Sequence, residues 1–232
     1  MRELTSIGLL KMLEGSSKRG LGPGNLGVLI SRAGVGKTAC LIHIAFNKIF
    51  SRKKIVHISL EEGPEKVISY YNVIYHDLAK ALKYTDDYDE DRALIDGNRI
   101  IQAYLNDSFE VERLRINLNN LADQLDFRPE TLIVDGLDFE ETERKIFEGL
   151  KEIAEELNVE IWCSALSHRH IPEVNERGIP HPCRQLDDLF SLIIQLQSEP
   201  SGTFLQLLKD HYSTRDTEST IRLDPNTFLA MD

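Results

Sequence analysis

SRAGVGKT, residues 31–38, stands between a short apolar run, Val28-Leu29-Ile30, and a helical pattern, and few folds accept that junction. Residues 38–50 carry Leu41, Ile44, Ala45 and Ile49 at i, i+3, i+4 and i+8, the spacing of one buried helix face. A strand, a turn of small residues and a helix in immediate succession place backbone N–H groups around a small concavity. The positive end of the helix dipole adds to them, so the natural occupant is an anion. The alternative, a chance glycine-rich turn, does not explain why both flanks are patterned.

The sequence departs from G-x-x-x-x-G-K-[ST] only at its first place, where Ser31 is small but is not glycine. In such a loop Lys37 reaches the β- and γ-phosphates of a nucleotide and the Thr38 hydroxyl ligates Mg²⁺. The residues expected around the nucleotide are Ser31, Arg32, Ala33, Gly34, Val35, Gly36, Lys37, Thr38 and Ala39.

A phosphate loop needs acidic partners before it can hydrolyse anything. TLIVDGLD, residues 131–138, ends an apolar strand on Asp135, expected beside the loop as the second anchor for Mg²⁺, with Asp138 a turn residue. HISLEEGPEKV, residues 57–67, brings Glu61 and Glu62 to the end of another strand. One of them could polarise an attacking water; the plain alternative is a pair of helix N-terminal carboxylates favoured by the dipole. Candidate catalytic residues are therefore Glu61, Glu62 and Lys37.

The rest of the chain alternates strand and helix up to Ser164. Expected strands are Val28–Ile30, Ile55–Leu60, Thr131–Asp135 and Val159–Ser164, followed by Leu189–Leu196, Thr203–Lys209 and Thr220–Leu223. Residues 5–13 show a weak helical pattern, 65–126 read as mostly helical, and Ile146, Phe147, Leu150, Ile153, Ala154 and Leu157 share one helix face. Val111, Leu114, Leu118, Leu121 and Leu125 mark either a core-facing helix or a seam against a partner helix. The acidic run Asp86–Asp91 reads as a solvated loop rather than a metal site. The expectation is an α/β fold: a mostly parallel central sheet flanked by helices, with a C-terminal antiparallel extension. One domain is expected over 1–232, with a lead-in over 1–25, the helical segment over 65–126 and a C-terminal hairpin over 200–232.

Composition narrows the function. The 232 residues carry 27 Lys+Arg against 38 Asp+Glu, a formal net charge of −11, whose mean field repels phosphate and argues against a basic nucleic-acid coat. Cys40, Cys163 and Cys183 form no CxxC pair and suit a reducing compartment. No apolar stretch approaches the ~18 residues that span a bilayer, and the N-terminus lacks a cleavage-site pattern. No membrane association and a cytoplasmic location are expected.

SRAGVGKTACLIHIA (31–45), ISLEE (58–62), LIVDGLD (132–138), WCSALSHR (162–169) and LLKDHYSTRDTESTIRLDPNTF (207–228), in this order, resemble the RecA-like P-loop ATPase superfamily, in particular its DnaB-helicase and KaiC-like branch. The resemblance covers most of the chain, with its strongest motifs at the phosphate loop and the Walker B strand. It implies a RecA-like fold, ATP and Mg²⁺ as ligands, ATP hydrolysis to ADP and phosphate, and homo-oligomers, ring or filament, with composite sites. A small residue at the head of the loop, as Ser31 is, occurs in the DnaB branch. Its catalytic glutamate matches Glu61, and the KaiC-like pair matches Glu61 and Glu62. The branch's sensor glutamine falls on Ala165, leaving Ser164 or Ser167 as the nearest polar substitutes. Of the tail's Lys-x-Arg pair, which the family offers to a neighbouring subunit, Lys209 matches. His211 holds the next basic place and Arg215 lies further on. The helicase's N-terminal primase-interacting domain has no counterpart, and 65–126 matches no motif.

The loop 167–184 gathers His168, Arg169, His170, Arg177, His181, Cys183 and Arg184. It is a candidate nucleic-acid contact without stacking aromatics, a protein-contact or nucleotide-sensing loop, or a plain solvated loop. His168, His170, His181 and Cys183 could compose a metal tetrad, a weak pattern for loop ligands. Three functions follow: a nucleotide-controlled assembly or regulatory switch, favoured by the charge and the missing sensor; an ATP-driven helicase or recombinase-like motor on single-stranded nucleic acid; and a nucleotide-binding scaffold with negligible turnover.

Overall fold

The structure, a computed structural model, describes residues 20–84, 88–104, 108–167, 174–211, 213–214 and 220–231. In chain order its elements are β1 (Leu26–Ser31), α1 (Lys37–Phe50), β2 (Ile55–Ser59), α2 (Pro64–Ala81), α3 (Tyr88–Asn98), β3 (Arg99–Ala103), α4 (Val111–Leu125), β4 (Thr131–Asp135), α5 (Arg144–Glu156) and β5 (Glu160–Leu166). After these come β6 (Phe190–Glu199), β7 (Gly202–Asp210), β8 (Ser213–Thr214) and β9 (Thr220–Leu223). The pattern expected over 5–13 lies outside the described residues.

Among the described residues the strands form one sheet in the order β3-β2-β4-β5-β1-β6-β7-β8, with β9 pairing β7. β3, β2, β4, β5, β1 and β6 run parallel, and β7, β8 and β9 add antiparallel pairings. The reason lies in the strand sequences. LGVLIS and IVHIS are buried at every position, which a strand covered on both faces requires. β6 instead loses its burial toward Glu199, where the covering ends.

Helices cover both faces. On one, Leu41, Ile44, Ala45 and Ile49 of α1 pack with Val67, Tyr71, Tyr75 and Leu78 of α2 and Ile95 of α3. On the other, Leu114 and Leu118 of α4 pack with Phe147, Leu150, Ile153 and Ala154 of α5. The 111–125 pattern thus faces the core through Leu114 and Leu118, while Leu125 at its end is exposed. Among the described residues, no helix is long and apolar enough to cross a membrane.

One expectation gains a detail and one is corrected. The segment 65–126 is mostly helical, as α2, α3 and α4 show, but it also contains β3, RIIQA, which extends the sheet beyond β2. Its two isoleucines are too short an apolar run for periodicity to separate strand from helix. The acidic run is no loop over its described part: Asp89, Glu90 and Asp91 form the first turn of α3, where the dipole favours carboxylates. Asp91 is buried and accepts a 2.7 Å hydrogen bond from the Tyr75 hydroxyl.

Candidate functional site

β2, β4, β5 and β1 are consecutive in the sheet and run parallel, so their carboxyl ends meet along one edge, where open α/β sheets place their ligand crevices. The chain leaves β1 at Ser31 and enters α1 through Gly36, whose φ of 108° few residues other than glycine adopt. No side chain caps α1 and no acidic residue stands in its first turn. The first N–H groups of the helix and its positive dipole end therefore have no anionic side chain of the helix's own on them.

Lys37 folds back on its own loop. Its Nζ donates to the Ser31 carbonyl at 3.3 Å and the Arg32 carbonyl at 3.4 Å. Burial pushes its ammonium below the ordinary lysine range, while Asp135 and Glu61 pull the other way. Thr38 turns inward, and its hydroxyl donates to Asp135 Oδ2 at 2.7 Å. The other Asp135 oxygen accepts the Ser164 hydroxyl at 2.6 Å, and Ser164 Oγ in turn accepts the Gly136 N–H at 3.1 Å. Ser164 thereby fixes both the Asp135 carboxylate and the turn that follows it.

The two glutamates occupy different surroundings. Leu60 N–H donates to the Asp135 carbonyl at 2.9 Å, which ties the end of β2 to the end of β4. Glu61 lies over Gly136, so close that a Cβ there would stand 2.7 Å from Glu61 Cγ and 3.1 Å from Cδ. Glu62 is half-buried: its N–H donates to Ser59 Oγ at 3.1 Å, and Oε1 accepts a long 3.5 Å bond from the Tyr70 hydroxyl. Glu61 is the exposed one of the pair.

A cavity of about 470 Å³ opens over these groups. Gly34, Gly36, Lys37, Thr38, Glu61, Glu62, Asp135 and Ser164 line its polar part, and Val67, Tyr70, Ile74, Leu137 and Leu166 its apolar part. On the far side of the loop, Arg32, Ala33, Gly34 and Val35 form one wall of a second hollow of about 740 Å³, facing Ser167 and the end of β6. Ser31 is buried; its hydroxyl donates to the Arg32 carbonyl at 2.9 Å, and its own carbonyl accepts Ser167 N–H at 2.9 Å. Arg32, Ala33 and Gly34 are exposed, and Val35 and Ala39 are half-buried. Asp138 caps its own turn, accepting Glu140 N–H at 2.9 Å and Glu141 N–H at 3.2 Å.

The tail departs from expectation. Lys209 is buried, and its ammonium donates to the Asp187 carbonyl of the same chain, so it presents no free cation to a neighbour here. The His211 ring pairs with the Gly20 carbonyl at 3.0 Å. Arg215 lies outside the described residues. In the loop 167–184, His168, Arg169 and His170 lie outside them too. Of the rest, Arg177 pairs with Asp187 at 3.2 Å and His181 lies 3.5 Å from Glu140. Among the described residues no group of three or more His, Cys, Asp or Glu side chains is set to hold a metal ion.

Residues absent from the sequence expectations also belong here. Val67, Tyr70 and Ile74 line the cavity at helical spacing, a signal that α2 carried. Phe228, from the tail, lays its ring on Gly36: a Cβ there would fall 2.1 Å from its Cζ. No periodicity announces that contact. No family model matches the chain, and no curated protein matches it by sequence.

The arrangement has a definite chemical capacity. Lys37 could donate to a polyanion at the start of α1, Thr38 and Asp135 could offer oxygens to a small divalent cation, and Glu61 is an exposed carboxylate that could orient a water.

Proposed function

We propose that the chain is a Mg²⁺-dependent ATP-binding protein and ATPase of the RecA/DnaB/KaiC type that works as a nucleotide-controlled switch. One observation carries this reading: Lys37, Thr38, Asp135 and Glu61, from three separate strand ends, line a single cavity of nucleotide-holding size. The phosphates would lie on the loop N–H groups at the start of α1, with Lys37 leaving the Ser31 and Arg32 carbonyls to meet them. Thr38 and Asp135, already 2.7 Å apart, form the hard-oxygen pair suited to Mg²⁺. Bound there, Mg²⁺ would supply charge neutralisation on the phosphates. Ser164 holds Asp135 in its rotamer. Glu61 takes the role of general base, accepting a proton from the water that attacks the γ-phosphate.

The switch is preferred to the motor because the net charge is −11 and, in the loop 167–184, Arg177 already faces the Asp187 carboxylate. A homo-oligomer, ring or filament, remains part of the proposal. With Lys209 turned inward, Arg215 is the one of the two tail cations named by the resemblance that would serve a neighbour's site.

Calorimetry with MgATP tests the binding, and phosphate release with and without single-stranded DNA or RNA tests the output. Binding lost in Lys37→Ala, with slow turnover indifferent to nucleic acid, is the expected result. Unchanged affinity in Lys37→Ala ends the assignment, and strong stimulation by nucleic acid replaces the switch with the motor.

A further inference from the structure

The C-terminal turn Asp224–Leu229 is attached to the helix that carries the loop. The Phe228 ring rests on Gly36 and meets the His43 ring edge-on at 6.5 Å between centroids. His43, on α1, lies beside the Thr227 backbone. Val35, Phe228 and Leu229 all pack on the same core face. The turn is also organised within itself. Asp224 Oδ1 accepts Asn226 N–H at 3.0 Å, Thr227 N–H at 2.8 Å and the Thr227 hydroxyl at 2.9 Å, and Phe228 N–H closes on the Asp224 carbonyl at 2.8 Å. Behind it stands β9, four residues long and paired only to β7 among the described strands. A preformed turn on a short strand is the kind of element that docks and undocks as a unit.

We propose that this turn is a strap that regulates the loop: seated, its Phe228 ring holds Gly36 in the conformation an anion needs, and ligand at the loop in turn holds the strap down. The proposal rests on the reading of the loop as a nucleotide site. Its basis is steric. Gly36 has no side chain, so the aromatic ring bears directly on the backbone just before α1. Arg32, Ala33 and Gly34, just upstream, are exposed. Lys37 has to leave two loop carbonyls when an anion enters, so the segment under the ring changes on occupancy. Two sites that bias one docked element are coupled by the same factor in both directions.

Hydrogen exchange with mass spectrometry on the full chain, together with calorimetry, tests this in two separable arms. Without ligand, Phe228→Ala should speed exchange of the amides at 33–38 by several-fold and leave those of β5 unchanged, which also shows that the variant folds. Phe228→Leu, which keeps bulk but not the flat ring, should fall between. With ligand, MgATP and inorganic tripolyphosphate should each slow exchange across 224–231 in the wild-type chain. Phe228→Ala should bind both about 5–50-fold more weakly, within the usual range of coupling. Unchanged exchange at 33–38 in Phe228→Ala overturns the strap whether or not anything binds. Equal affinities, with no change at 224–231, overturn its regulatory role. A wild-type chain that binds neither probe removes the nucleotide reading instead, and the ligand-free arm still decides the strap.

Discussion

The Thr38 hydroxyl reaches across from α1 and donates to Asp135 at the end of β4, 2.7 Å away, while Ser164 of β5 holds the other carboxylate oxygen at 2.6 Å. One carboxylate thus joins three elements, and it does so with both of its oxygens used.

Replacing Thr38 tests what that pair is for. Thr38→Ala should abolish the Mg²⁺-dependent part of ATP affinity, a loss of tenfold or more, worth about 1.4 kcal/mol per tenfold. Thr38→Ser should keep it. Titrations with Mg²⁺ and with EDTA give the comparison, and equal Mg²⁺ dependence in wild type and Thr38→Ala would exclude the role.

The paired glutamates should separate cleanly. Glu61→Gln preserves shape and removes the base, so turnover should drop ~10²-fold or more with ATP affinity little changed. Glu62→Gln, whose carboxylate faces the Tyr70 hydroxyl, should retain most turnover. Single-turnover phosphate release on both variants decides it; the reverse order would move the base to Glu62.

Gly136→Ala should damage the site without touching a charged group. Gly136 has a φ of 86°, and the added Cβ would stand 2.7 Å from Glu61 Cγ and 3.2 Å from Glu61 N. Strain in φ and displacement of Glu61 together should cost about 1–3 kcal/mol. The urea midpoint should fall with an unchanged slope, and turnover should fall with it. A variant as stable as wild type would mean that the turn yields.

Acid should destabilise the fold through two histidines. Burial pushes His43 and His57 down to about 4 from the usual 6.5. Both stay neutral when folded, whereas the unfolded chain takes up protons below about pH 6.5. Their contribution is therefore complete above that pH and is lost as pH falls toward 4. At pH 5 His43 alone should cost of the order of 2 kcal/mol relative to pH 7, and His57 acts in the same direction. Urea unfolding at the two pH values should show the drop, and His43→Gln should reduce it. A midpoint equal at pH 7 and pH 5 would refute the assignment.

The parts of this site that can be read from sequence are those that short stretches encode. The β1–loop–α1 unit is contiguous, and Asp135 follows from the rule that parallel strands bring their carboxyl ends to the ligand side. Lys209 shows where such reading stops. Ile194 pairs with Leu207 but Ile193 pairs with Lys209, so Leu208 is the extra residue of a bulge. The two-residue alternation that assigns a side chain to a face breaks there, and Lys209 turns inward to Asp187. β3 is hidden for another reason: RIIQA holds only two consecutive isoleucines between a charged and a polar residue, and α3 runs through the Asp96-Gly97-Asn98 breaker straight into it with no loop between. Phe228 on Gly36 is harder still, because only the order of strands in the sheet brings the tail to the loop.

The seat of β1 between β5 and β6 has a temporal consequence. β1 is made early, yet neither of its hydrogen-bonding neighbours exists until synthesis has passed Glu160 and then Phe190. A nascent chain halted between them would hold β1 with one edge bare, a template for pairing with other chains. The loop borrows its shape from partners still inside the ribosome. Assembly of this molecule is therefore ordered late and dominated by distant pairings, the regime of slow folding in which a growing polypeptide most needs protection.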